Sequence, residues 1–557
     1  MRRRLRLSVA TRWSFGKYLS DVKLRRDGAL AAGRAGYLEH TIVRTMSAAG
    51  RRRRRATMRS VIVASAALWA VYAHAQDAPA MCASLASSLS LNATTVTSSI
   101  PVTSGQFMPP DGQPSQANLP AFCRVELTIA PTGDSDIKTE VWLPMSGWNG
   151  RFLAVGNGAW GGSIQYNALG NGIRRGYATA STDTGHTGSD ASFAIGHPEK
   201  LIDFGSRAVH QMAVQGKATV DAFYSTAPDY SYFNGCSGGG RQSFMEAQRY
   251  PDDFDAIIAG APGYDRTDVA FQTLGMIRAT HETPESYLER ADFTLIHEAA
   301  MQICDARDGL EDRLISDPVG CDFDPGALQC KSGETSACLS EPQVTAARAI
   351  YSTITDPRTG EILTTGMEPG SELLWERVAA REPHNMYISL FQHVLFPGER
   401  FDFRDISVVE HLDYAREVDG GIYAATSANL EPFISGGGRL LIYHGWADQN
   451  IPPVGSIDYY EQVVDTLGKE RTEEGVALYM VPGMGHCGGG HGPNEFDMLS
   501  VLEQWREDGK TPAAVLATQR ENGEVLRTRP LCPYPQVARY DGIGSVDEAG
   551  NFACAAP

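Results

Sequence analysis

The chain has 557 residues, 42% of them hydrophobic, and a formal net charge of −17. That length suits one large α/β domain with an insertion, or two or three smaller domains. The acidic balance repels phosphate backbones and anionic membranes, which argues against nucleic-acid function and favours a small neutral or weakly charged substrate.

Residues 1–57 are rich in arginine, with an unbroken run from Arg51 to Arg55 and only Asp21, Asp27 and Glu39 as acids. From Met58 and Arg59 an apolar run over 61–72 leads into Ala73-His74-Ala75. A charged start, a short apolar core and a small-x-small site make a signal peptide, with cleavage expected after Ala75 and translation starting at Met58. The apolar run is too short for a stable membrane anchor. A basic nucleic-acid arm is the competing reading of 1–57, but it has no obvious use ahead of an export signal. Loss of 1–75 removes 17 basic and three acidic residues and takes the formal charge from −17 to −31. The protein is therefore expected outside the cytoplasm, secreted or periplasmic.

All ten cysteines follow the expected cleavage site. An even count in an exported chain points to five disulfides, although sequence alone does not fix their pairing. Near neighbours suggest Cys82–Cys123, Cys304–Cys321, Cys330–Cys338 and Cys532–Cys554, leaving Cys236 and Cys487 for each other. A metal-thiolate site is the rival reading, and the absence of any C-x-x-C pair disfavours it.

Residues 76–135 are Ser/Thr/Pro-rich and read as an irregular wrap held by Cys82–Cys123. Strands and helices then alternate, as a mostly parallel sheet requires. Strands are expected at 137–143, 152–155, 178–181, 230–234, 256–259, 440–443 and 477–481. A helix over 206–223 would bury Val209, Met212, Ala213, Val220 and Phe223 on one face. Few breakers interrupt 240–250, which should also be helical. The alternation stops near Tyr264 and resumes near Gly436. Core segments at 76–264 and 436–557 thus flank an inserted lid domain at 265–435, with helical stretches at 287–304 and 341–354.

Gly235-Cys236-Ser237-Gly238-Gly239 reads G-x-S-x-G, the elbow that lifts a nucleophilic serine clear of its strand. The motif alone is weak, since glycine is common in this chain. Its context strengthens it. Asp448 follows the strand at 440–443 within His444-Gly445-Trp446-Ala447-Asp448, and His486 follows the strand at 477–481. Ser, Asp, His is the chain order of the α/β-hydrolase triad, each member placed after a strand. Ser237 would attack, His486 would move its proton, and Asp448 would orient the imidazole. The oxyanion needs N–H donors: Gly238 as one, and Gly158 or Ala159 of the glycine-rich loop after 155 as the other. A plain tight turn is the competing reading of that loop. His491 competes for the base role from a flexible Gly-rich stretch. His210 reads as helix packing, and Trp446 as either pocket wall or support.

Within the insertion, Asp305, Asp308 and Asp312 recur at spacings of three and four around Gly309. The pattern resembles a calcium loop without fitting the EF-hand, and the carbonyls of Leu310 and Leu314 could add oxygens. A solvated acidic turn closed by Cys304–Cys321 is the alternative.

Several segments together resemble the tannase and feruloyl esterase family of secreted serine esterases. They are Trp148-Asn149-Gly150-Arg151-Phe152, Ser181-Thr182-Asp183-Thr184-Gly185-His186, Gly235 to Gln242, His444 to Asp448, Gly485-His486-Cys487 and Arg529-Pro530-Leu531-Cys532-Pro533-Tyr534-Pro535. The resemblance spans about residues 80–557. It implies an α/β-hydrolase core with a lid and a Cys236–Cys487 bridge beside the catalytic pair. It also implies structural calcium at Asp305, Asp308, Leu310, Asp312 and Leu314. The activity it implies is hydrolysis of aromatic acid esters, feruloyl esters first, with galloyl esters or mono(2-hydroxyethyl) terephthalate as alternatives. A calcium-bound carbohydrate-binding surface protein is the non-enzymatic alternative, and the intact Ser237, Asp448 and His486 speak against it.

Overall fold

The computed structural model describes residues 78–334, 336–377, 379, 385–398 and 401–557. The expected signal peptide and its cleavage site lie outside them.

Nine strands form one sheet. In chain order they are β1 (Thr94–Val102), β2 (Phe122–Ile129), β3 (Ile137–Pro144), β4 (Arg151–Val155), β5 (Ala178–Thr182), β6 (Tyr230–Cys236), β7 (Ala256–Gly260), β8 (Arg439–Gly445) and β9 (Val476–Val481). Across the sheet they run β1-β2-β3-β5-β4-β6-β7-β8-β9. Pairing is antiparallel from β1 to β5 and parallel from β5 to β9. The central strands β5 and β7 are buried along their whole length, as parallel strands covered on both faces must be.

Both faces are covered by helices. On one side α2 (Ala208–Tyr224), α3 (Gly238–Arg249) and α4 (Val454–Leu467) bury Met212, Phe244 and Val463 against Phe152, Phe233 and Ile442. On the other, α1 (Tyr166–Arg174) and α5 (Met498–Asp508) bury Leu169, Ile173, Leu502 and Trp505 against Leu153, Tyr232 and Leu441. Neighbouring residues of one strand thus serve opposite faces, the period of two that a strand imposes. The result is an α/β-hydrolase fold.

All seven expected strands are present, each within two residues of its expected bounds. The expected irregular wrap at 76–135 is corrected: β1 and β2 extend the sheet there. β1 is an edge strand with no fully buried residue, so its polar Thr/Ser text carries no apolar alternation to read. The expected helices occur at Ala208–Tyr224, Gly238–Arg249, Arg290–Cys304 and Glu341–Tyr351. All five disulfides form in the near-neighbour pairing, with Cys236 joined to Cys487.

Between β7 and β8 the chain leaves the sheet. Helices Arg266–Thr280, Arg290–Cys304, Glu341–Tyr351 and Val408–Asp419 lie in this stretch. Part of it has its own apolar cluster around Phe293, Ile296, Ile350 and Trp375. Another cluster joins it to the core, with Phe271, Phe391 and Leu412 packed about Trp160 and Phe204.

Candidate active site

Ser237 sits between the end of β6 and the start of α3 with φ +64° and ψ −119°. Such a backbone costs a non-glycine residue about 1–3 kcal/mol and persists only where its surroundings enforce it. Here the surroundings are glycines. A Cβ on Gly235 would come within 2.3 Å of the Gly239 carbonyl oxygen, and one on Gly156 within 2.8 Å of Gly239 Cα. The turn is further pinned by Ser237 N–H donating to Gly260 O at 2.9 Å. The spacing of G-x-S-x-G is therefore a packing requirement of this elbow.

Asp448 and His486 lie on the loops that follow the adjacent strands β8 and β9. His486 Nδ1 is 2.7 Å from Asp448 Oδ2. Asp448 is wholly buried, and its other oxygen accepts the N–H groups of Asn450 at 2.7 Å and Ile451 at 3.0 Å. Burial opposes its ionisation, but His486 and His444 outweigh burial and hold the carboxyl well below its ordinary range. The His486 backbone N–H is steadied by Gln449 Oε1 at 3.3 Å.

The Cys236–Cys487 bridge joins the residue before Ser237 to the residue after His486, with Cα atoms 6.0 Å apart. Two further Cα steps bound the Ser237–His486 Cα separation at about 14 Å. Ser237 Oγ makes no hydrogen bond with His486 among the described residues. Contacts of this kind are often long in ligand-free enzymes and tighten with substrate.

Gly238 opens α3, so its N–H has no partner inside the helix. A Cβ there would lie 3.0 Å from Ala159 O and 3.3 Å from Ala159 N, which sets the glycine-rich loop directly against the elbow. The loop is held by two residues that sequence reasoning missed. Asn157 N–H donates to Gln242 Oε1 at 2.9 Å, and Asn157 Nδ2 donates to Thr182 O at 2.8 Å. The Gln242 position, one turn into the helix behind Ser237, was the available signal. A third missed residue is His444, which touches Asp448 directly.

Other expected residues lie elsewhere. His491 sets its ring edge-on to His297 of the insertion at 5.1 Å, while His486 takes the place beside Asp448. His210 pairs with Asp253 at 2.6 Å and stacks on Tyr250, as packing requires. Trp446 is nearly buried.

The Asp305–Asp312 turn is closed by Cys304–Cys321. Its carboxylates and the Leu310 and Leu314 carbonyls are the oxygen donors a hard cation takes. The carboxylates here serve the turn itself: Asp305 accepts the N–H of Asp312 at 3.2 Å and Arg313 at 2.9 Å, and Asp308 that of Leu310 at 3.0 Å. Asp312 accepts the Leu314 N–H at 3.1 Å and pairs with Arg529. Among the described residues no three acids converge as a metal cluster. The donor types fit calcium; their present arrangement is that of a capped turn.

A serine elbow, an Asp–His pair and open N–H groups at the carboxyl edge of such a sheet define an α/β-hydrolase site. The family profile "Tannase and feruloyl esterase" matches residues 123–395 and 396–555. An uncharacterised esterase of Xanthomonas campestris is 39% identical over 86% of this chain and 92% of that protein. Mono(2-hydroxyethyl) terephthalate hydrolase of Piscinibacter sakaiensis is 32% identical over 80% of this chain and 86% of that protein. The crystal structure of feruloyl esterase B from Aspergillus oryzae matches with a TM-score of 0.82 at 29% identity, covering 86% of this chain and 100% of that one. The chain belongs to the tannase and feruloyl esterase family and is a carboxylic-ester hydrolase.

Proposed function

We propose that this protein is an exported serine esterase that cleaves aromatic acid esters, feruloyl and related hydroxycinnamoyl esters first. The observation that carries the reading is the pairing of buried Asp448 with partly buried His486, fastened to the Ser237 elbow through Cys236–Cys487. Ser237 Oγ attacks the ester carbonyl while His486 Nε2 takes its proton. Gly238, with Gly158 or Ala159, donates to the oxyanion, each N–H worth roughly 3–4 kcal/mol in the transition state. The alkoxide leaves with the proton from His486, and water then hydrolyses the acyl-Ser237 ester by the same relay. Residues 265–435 serve as the lid that shapes the acyl pocket and excludes water.

Five disulfides suit an oxidising compartment. Calcium in the Asp305–Asp312 turn would be structural and would have to compete with Arg529 for Asp312. Chelation should lower the melting temperature and leave the chemistry at Ser237 untouched; an unchanged melting curve would remove the metal from the account.

Turnover of methyl ferulate, methyl gallate and mono(2-hydroxyethyl) terephthalate by the purified protein tests the substrate assignment. Methyl ferulate should be fastest. Failure on all three, with turnover of a p-nitrophenyl ester, would refute the aromatic-acid reading. Ser237→Ala should fold normally and lose at least about a thousandfold in kcat.

A further inference from the structure

Asp448 serves two imidazoles. Its Oδ2 lies 2.7 Å from His486 Nδ1 and 3.0 Å from His444 Nε2. His444 stands near the end of β8 with its side chain fully buried. Its far nitrogen, Nδ1, is 2.7 Å from Ser456 Oγ on α4. An ionised carboxylate only accepts hydrogen bonds, so both nitrogens that face Oδ2 carry hydrogen. In the neutral His444 ring Nδ1 is then the acceptor, and the Ser456 hydroxyl donates to it and fixes that tautomer. Ser456, His444 and Asp448 thus form a directed chain ending on the oxygen that orients His486.

We propose that His444 is a positioning residue for ester hydrolysis that acts through Asp448, an inference that rests on the triad reading above. Two consequences follow from its geometry. The carboxylate plane is fixed by donors on both oxygens, Asn450 and Ile451 on one and the two histidines on the other, so His486 is held at a single orientation. The negative charge of Oδ2 is also divided between two donors, which leaves less of it to hold the proton that His486 takes up. The titratable groups facing this carboxylate are His444 from β8 and His486 from the loop after β9. Neither consequence involves substrate contact, so the effect belongs in kcat and in the pH profile, with KM unmoved.

The test uses full-length His444→Leu, His444→Gln and Ser456→Ala, with melting temperature recorded for each. Gln places an amide N–H near the position of the lost Nε2–H. His444→Leu should lower kcat on the order of 10- to 100-fold with KM within about twofold. It should also move the acid limb of kcat/KM to higher pH, because Asp448 then keeps more charge for the His486 proton. His444→Gln should recover most of the rate, and Ser456→Ala should fall between. If His444→Leu does not fold, the Gln and Ala variants carry the same comparison. A Gln variant as slow as Leu with an unmoved acid limb, or all variants matching the parent, would overturn the role of His444. Turnover surviving in Ser237→Ala would instead overturn the triad beneath it.

Discussion

Gly235 shows how tightly a single residue can be prescribed. A methyl group there would overlap the Gly239 carbonyl, which is backbone and cannot swing aside. Gly235→Ala must therefore shift α3 relative to β6, and with it Ser237. Overpacking of this kind costs about 1–3 kcal/mol, so a lower melting temperature should accompany a fall in kcat. Parent-like values of both would mean that the elbow tolerates the displacement. Glycine spacing was legible because it is a steric rule that leaves a literal trace in the text. Asn157 and Gln242 were not legible. Their value lies in meeting each other across 85 positions, and neither belongs to a residue type that marks catalysis. His444 stands in the same short motif as Asp448, but in a sequence one buried histidine reads the same whether it packs or orients. Of the candidate oxyanion donors, Gly238 was legible from the elbow and the second as Gly158 or Ala159 of a glycine-rich loop; the approach of Ala159 to Gly238 needed the fold.

At the scale of elements, β6 and the loop after β9 lie three strands apart in the sheet, with β7 and β8 between them. The sheet sets their distance, and the glycine-rich loop 483–492 is tied within itself, with Gly485 N–H donating to Gly489 O at 3.1 Å and His491 N–H to Gly483 O at 3.0 Å. The Cys236–Cys487 bridge ties this loop in turn to the serine elbow. Replacing both cysteines by alanine should leave the sheet intact, because β6 and β9 remain hydrogen-bonded to their neighbours. Closing a long loop in the unfolded chain is worth up to about 5 kcal/mol, so the melting temperature should drop. Kinetically, kcat should fall more than KM rises, since the lost order lies between Ser237 and His486 and not at the substrate. Equal kcat in parent and double variant would show that the loop is fixed without sulfur. The buried strands were legible because parallel strands sealed on both faces read as short apolar runs between breakers. β1 was missed for the converse reason: an exposed edge strand has no side that must be apolar.

For the molecule as a whole, pH acts through groups whose proton affinity folding changes in opposite directions. Burial lowers His186 to about 4, and burial with His297 lowers His491 to about 4, against an ordinary 6.5. Burial raises Asp183 and Glu368 to about 7. A histidine with a depressed folded value stays neutral while the unfolded chain takes up its proton. Its stabilisation is complete above pH 6.5 and is lost as pH falls toward 4, by about 1.4 kcal/mol per pH unit. A carboxyl with a raised folded value behaves the other way, contributing most below its unfolded value and losing that contribution as pH rises through 7. Further carboxyls are raised by burial as well, Asp268 to about 6 among them, so one group's share is read from a variant against the parent and not from the parent alone. His491 is the one to remove, because it joins the loop that carries His486 to His297, itself 2.8 Å from Glu372 of the insertion. His491→Gln deletes one depressed group and leaves the carboxyls in place. Relative to the parent, the variant should gain stability as pH falls, by about 2 kcal/mol between pH 6.5 and 5. Melting curves for both proteins across that range decide the matter: a widening difference fits a neutral, partly buried His491, and parallel curves would mean that it takes up its proton equally in the folded and unfolded chain.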